Sequence, residues 1–233
     1  MGLLMRLGVP MSIGMEGWAD LTSFAVFTAM WAVMMIAMML PSSYPTLLLH
    51  RTVYNQRTPE QSGGTLLFAT AYFAVWTATA VLFYFAYVAI GHIRLLQTIS
   101  DSTILRIAGI GLIVAGIYQW TQLKLACLRH CQTPLHFIMN HWHDGRSGAV
   151  RMGATHALYC FGCCWGLMLV LFVMGVMHLG WMAIIGAVIL LERLSAESSW
   201  IPRVSGSVMI VIGTVALIFP ETLTRFSSQI TIG

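Results

Sequence analysis

Met152-Gly-Ala-Thr-His-Ala-Leu-Tyr-Cys-Phe-Gly-Cys-Cys-Trp-Gly-Leu-Met168 runs on as Leu169-Val-Leu-Phe-Val-Met-Gly-Val-Met177 without one Asp, Glu, Lys or Arg. A stretch so long and apolar reads as a helix that crosses a membrane. In hydrocarbon every backbone polar group must be satisfied within the protein, so a helix or a closed barrel is required. No sustained polar-apolar alternation points to a barrel. The same stretch holds three cysteines within five residues, one turn beyond a histidine, so its reading bears on chemistry as well as on fold.

Working outward, further apolar runs lie at about 21–49, 65–90, 105–123, 179–191 and 204–219. Hydrophobic residues make up 58% of the chain and charged residues 9%, with a mean hydropathy of +0.80. The predicted fold is all-α: a polytopic helical membrane protein with about six transmembrane helices, one membrane domain over residues 1–233. Residues 1–19 are a Met/Gly-containing segment too short and broken to span. Without a cleavable signal pattern, the first span is expected to act as an uncleaved anchor. Pro41-Ser-Ser-Tyr-Pro45 predicts a kink or an end in that span.

Charge placement gives an orientation. Arg51, Arg57, Lys124, Arg129, Arg146, Arg151, Arg193 and Arg203 fall on one side, and Arg6, Arg94, Arg106 and Arg225 on the other. The richer side is expected to be cytoplasmic, which puts both termini outside and a Cys/His loop at 124–151 inside. The segment beginning at His92 is expected along the outer interface. The net charge of +4 reflects this loop bias and calls for no nucleic-acid partner. The expected contacts are the lipid bilayer and a metal chaperone or membrane-complex partner. The expected location is a bacterial inner membrane. No Walker loop, nucleotide fingerprint or Ser/His/Asp order has a matching context.

Three sulfur-rich clusters carry the chemistry. In the first span, Met34 and Met38 follow Met30 at four-residue intervals, with Met35 and Met39 on a neighbouring face. Met is a flexible core filler, so packing alone is the alternative reading. Thioethers are neutral and bind a soft monovalent ion without burying an anion. In the fourth span, His156, Cys160, Cys164 and Met168 form an i, i+4 stripe with Cys163 beside it. A lone cysteine there would be read as core; three with a histidine point to metal binding or thiol chemistry. The third cluster is Cys127-Leu-Arg-His-Cys131, followed by His136, His141 and His143. Its C-x3-C spacing is a weaker metal pattern than paired C-x2-C motifs. Tyr118, Gln119 and Gln122 are expected to bind neighbouring helices rather than support a site. Glu192-Arg193 reads most simply as an interfacial pair, with proton carriage by an intramembrane carboxylate as the alternative.

Depth connects the clusters. At a rise of about 1.5 Å per residue, Cys160 lies about 12 Å and Cys164 about 18 Å below Met152, while Met38 and Met39 lie about 15–17 Å from Leu49. The methionine and cysteine groups are thus expected at one level.

Several segments resemble a bacterial family of predicted metal-binding integral membrane proteins, a domain of unknown function. They are Trp31-Ala-Val-Met-Met-Ile-Ala-Met-Met-Leu-Pro-Ser42, Tyr118-Gln119 with Leu123-Lys124, Cys127-Leu-Arg-His-Cys131, His141-Trp142 and Tyr159-Cys-Phe-Gly-Cys-Cys-Trp165, extended by Gly175–Met177 and Trp181–Ala183. The resemblance implies an inner-membrane helical protein that binds metal, with no established reaction. Arg193 departs from it, standing where lysine is expected after the glutamate, and the N-terminal region is shorter.

These readings converge on a membrane protein that binds a soft metal. Copper as Cu(I) is favoured over zinc because thioethers add little to zinc affinity. Cys160, Cys163 and Cys164 would hold it with Met38 or Met39, and Cys127, Cys131 and His141 would receive or regulate it. One rival is a thiol-disulfide oxidoreductase using the C-x2-C of Cys160 and Cys163. The other is an accessory subunit of a larger membrane complex.

Overall fold

The computed structural model describes residues 21–57, 63–92, 101–174, 179–195 and 200–220. Among them the secondary structure is helical throughout: α1 (Leu21–Arg57), α2 (Gly64–His92), α3 (Asp101–Gln119), α4 (Gln122–Gln132), α5 (Pro134–His141), α6 (Gly145–Met174), α7 (Leu179–Leu194) and α8 (Trp200–Ile218). Four helices are long and apolar enough to cross a membrane: Phe24–Arg57, Gly64–Phe85, Gly145–Leu171 and Trp200–Ile218. That makes the chain a membrane protein by helix length and composition. A helix lies in each of the six apolar runs among the described residues, but Leu105–Gln119 is a shorter apolar helix and α7 has 16 residues. The N-terminal Met/Gly segment and the predicted interfacial run after His92 lie outside the described residues.

Helix α6 sits at the centre and packs on α2, α3, α4 and α7. Two of these neighbours each pair with a further helix. Helix α1 lies along α2, where Trp31 Nε1 donates to the Trp76 carbonyl at 3.3 Å and to Thr79 Oγ1 at 3.1 Å. Helix α3 lies along α8 in the closest packing of the fold. A Cβ placed on Gly116 would come 2.7 Å from the Gly206 carbonyl oxygen, and one on Gly213 would come 2.6 Å from that of Gly109. Small residues let two backbones approach where lipid supplies no hydrophobic drive.

Three local expectations change. Pro41 and Pro45 do not end the first span: a single helix runs through both. Beside them Ser42 Oγ donates to the Met39 carbonyl at 3.0 Å and Ser43 Oγ to the Leu40 carbonyl at 3.3 Å. The third apolar run does not continue to Leu123. It stops at Gln119, and Thr121 caps a new helix by accepting from the Lys124 amide at 3.3 Å. The predicted 124–151 loop is therefore mostly helix: α4, then α5 with Pro134 in its first turn, then the opening turns of α6. Lys124, Leu128 and Cys131 of α4 and Phe137 and Ile138 of α5 are buried. Gly145 has φ 79°, a left-handed conformation suited to glycine, where the chain enters α6.

Candidate metal centre

On α6 the residues His156, Cys160, Cys163, Cys164 and Met168 are all buried. Helical geometry puts i, i+3 and i+4 on one face, and here that face is the packed one. Cys163 Sγ and Cys164 Sγ both donate back to the Cys160 carbonyl, at 3.1 and 3.0 Å. Cys160 Sγ points instead into the space between α1, α2 and α7. Tyr72 Oη of α2 lies 2.9 Å from it, and Met39 Sδ of α1 lies 3.9 Å away. The contact expected from depth alone is present. Cys163 Sγ in turn lies 3.9 Å from Cys131 Sγ of α4.

Sulfur thus comes from three separate helices. Two sulfurs bound to one ion, with bonds of about 2.3 Å and a tetrahedral or trigonal angle, stand about 3.8–4.0 Å apart. Both inter-helix sulfur pairs have that spacing. No group of three or more His, Cys, Asp or Glu among the described residues is drawn together as a metal cluster. What the fold assembles is two sulfur pairs linked by a cation.

That cation is Arg193, which sequence reading assigned to an interfacial pair with Glu192. The two neighbours part company. Glu192 Oε2 pairs with Lys124 Nζ at 2.6 Å, both side chains buried, and Glu192 Oε1 accepts from Ser205 Oγ at 3.1 Å. Gln132 Nε2 donates to the Glu192 carbonyl at 2.7 Å and ties α4 to the same helix end. Arg193, 5% exposed, turns the other way. Its Nη1 donates to Ser42 Oγ at 3.0 Å, its Nη2 hydrogen-bonds Cys160 Sγ, and the same Nη2 lies 3.8 Å from Cys163 Sγ. The sequence held one signal for it: an ionisable residue at the end of an apolar helix is a functional candidate by default.

The other candidates fall around this centre. Met34, Met35 and Met38 are buried in the same core as Met39, and Met168 lies two turns along α6 from Cys160. His156 is fully buried, with its ring among Phe68, Tyr72 and Phe137, and neither ring nitrogen has a hydrogen-bond partner. Cys127 is half-buried beside Gly162, where an added Cβ would come 2.8 Å from its Sγ. Burial pushes that thiol above its ordinary value. His141 is half-buried on α5 and stacks on Phe137 at 4.9 Å between ring centroids, and His130 stacks on Tyr159 at 4.2 Å. These two histidines form an outer group apart from the sulfur centre. As expected, Tyr118 and Gln119 join helices: Tyr118 Oη donates to the Gly162 carbonyl and Gln119 Nε2 to Ser205 Oγ at 3.2 Å. Met177 and His178, expected with Met174 to add a further soft group near the outer surface, lie outside the described residues.

A family model described as PpoB2, copper chaperone, matches residues 28–216. The chain belongs to this copper chaperone family. No curated protein and no solved structure matches it. The span shared with the PpoB2 family takes in Met39, Cys131, Cys160, Cys163 and Arg193, and also the outer histidines.

Proposed function

We propose that this PpoB2-family protein carries Cu(I) as cargo in a bacterial inner membrane and releases it across the membrane or to a partner protein. The observation that carries the reading is the approach of Met39 to Cys160 and of Cys163 to Cys131, two sulfur pairs from α1, α6 and α4 that each have the spacing of metal ligands. Cys160 and Cys163 supply thiolates and Met39 a neutral thioether. This soft donor set suits a soft monovalent ion. Cys131 of α4, 3.9 Å from Cys163, is the adjoining sulfur to which the ion can pass. Cys127, beside Gly162, and the half-buried His141 of α5 receive or regulate the ion in this reading. The oxidoreductase reading is less favoured, because dithiol exchange needs access for a partner and Cys160 and Cys163 are 0% and 2% exposed.

Purified, reduced protein should bind Cu(I), measured by elemental analysis and by competition with a Cu(I) chelator. No retained copper in the intact protein would reject the reading. A copper-free protein whose Cys160 and Cys163 cycle between dithiol and disulfide would support the oxidoreductase instead. The orientation has its own check. With 124–151 on the cytoplasmic side, an impermeant thiol reagent should reach Cys127 in inside-out vesicles and leave it unlabelled in intact cells.

A further inference from the structure

We infer that Arg193 is the counter-charge that makes the sulfur centre prefer a monovalent over a divalent ion. The inference rests on the reading of that centre as the metal site, and adds a specificity residue that sequence reading left in an ion pair.

The geometry is direct. One guanidinium nitrogen, Nη2, contacts both Cys160 and Cys163, while Nη1 is fixed by Ser42. The neighbouring carboxylate, Glu192, is occupied by Lys124 and Ser205. Among the described contacts Arg193 therefore faces sulfur and a hydroxyl, with no carboxylate to cancel its charge. Arginine remains protonated in proteins. With Cys160 and Cys163, the two sulfurs that share Nη2, as the anionic ligands of one ion, binding releases two thiol protons and leaves two thiolates. With a monovalent ion, the two negative charges are balanced by the ion and Arg193, and the buried centre is neutral. With a divalent ion, one positive charge remains in a medium where net charge is costly. Met39 adds a donor without altering the balance.

Softness and charge must be separated to test this. Ag(I) and Cd(II) serve, because both are soft, thiol-seeking and have the same electron count. Their affinities should be measured on the full chain in detergent with a non-thiol reductant, by chelator competition. Both ions displace the same protons, so the ratio of affinities reports charge preference and not thiol protonation. Wild type should favour Ag(I). Arg193→Gln should lower the Ag(I)/Cd(II) ratio by at least about tenfold, since one unit charge a few ångströms away acts more strongly on a divalent ion. Arg193→Lys should keep the ratio within a small factor. Ser42→Asp, which sets a carboxylate against Nη1 and leaves Arg193 in place, should lower the ratio as Arg193→Gln does. It decides the matter if Arg193→Gln does not fold.

An unchanged ratio in either folded variant overturns the inference, and so does a ratio lost equally in Arg193→Lys. The combined Cys160→Ser, Cys163→Ser variant separates the two levels. If it keeps both metals, the metal-site reading itself fails. If it loses them while the Arg193 and Ser42 variants leave the ratio unchanged, only the counter-charge inference fails.

Discussion

Glu192 and Arg193 are adjacent, both buried, and belong to two different kinds of charged cluster. Around Glu192 the account is closed: Lys124 Nζ on one oxygen, Ser205 Oγ on the other, with Gln119 behind Ser205. Around Arg193 it is open: Ser42 holds one nitrogen, two thiols meet the other, and Nε has no partner. A closed pair joins helices. An open cation among soft ligands has a role that waits for an anion, and the two cysteines supply one when a metal binds. Damage to the first cluster should therefore appear in stability, and damage to the second in metal affinity.

The largest effect expected on the second cluster comes from Cys160→Ser with Cys163→Ser. Cu(I) affinity should fall by more than about 100-fold, beyond the cost typical of losing an outer-shell partner. Chelator competition measures it, and circular dichroism should show the helices retained. If this variant binds copper normally, the division between the clusters breaks down.

For the first cluster, Glu192→Ala strands the buried Lys124 ammonium and should cost about 3–5 kcal/mol. Thermal unfolding in detergent should reveal it as a large fall in midpoint. Replacing both partners, Lys124→Met with Glu192→Leu, should recover most of that loss, because an apolar pair of similar volume avoids the buried charge. A double variant as unstable as the single one would mean that the ion pair does more than join α4 to α7.

A smaller change sharpens the contrast from the metal side. Met38→Leu with Met39→Leu keeps volume and should cost less than about 1.5 kcal/mol of stability for each swap. Copper affinity should nevertheless fall, by an amount nearer about tenfold than 100-fold, since one neutral donor is lost and the thiolates remain. Equal affinity in this variant would remove Met39 from the ligand set. The smallest effect is expected for Cys127→Ser, whose sulfur lies beside Gly162 and outside the Met39–Cys160 and Cys163–Cys131 pairs. Its equilibrium copper affinity should match wild type in the same competition assay.

The helices were legible because apolar runs of this length have few alternatives in lipid. The meeting of Met39 with Cys160 was legible too, since helical rise converts residue number into depth. Three features were not. The break before α4 depends on one threonine hydroxyl capping the Lys124 amide, with no capping-box partner in the sequence to announce it. The short helices at 122–141 are polar enough to read as loop, and their folding depends on burying Leu128, Cys131, Phe137 and Ile138 against the bundle. The direction of Arg193 could not be read either. Successive residues on a helix differ by about 100° in azimuth, and which neighbour each one meets is set by tertiary packing.

The glycine seam between α3 and α8 has a consequence for alignment. Gly109 faces Gly213 and Gly116 faces Gly206, and an added Cβ on Gly116 or Gly213 would also come within 2.8 Å of an isoleucine side chain. A slip of one residue, about 1.5 Å along the axis, would carry bulk into the narrowest points of the seam. The pair therefore behaves as a gauge block that fixes the height of α8 against α3. Ser205 sits on that block beside Gln119, and its hydroxyl reaches Glu192 on α7. The height set by four glycines is thus handed through one hydroxyl and one carboxylate to the next residue along, and the level at which a guanidinium meets two sulfurs is indexed from a contact made on another pair of helices.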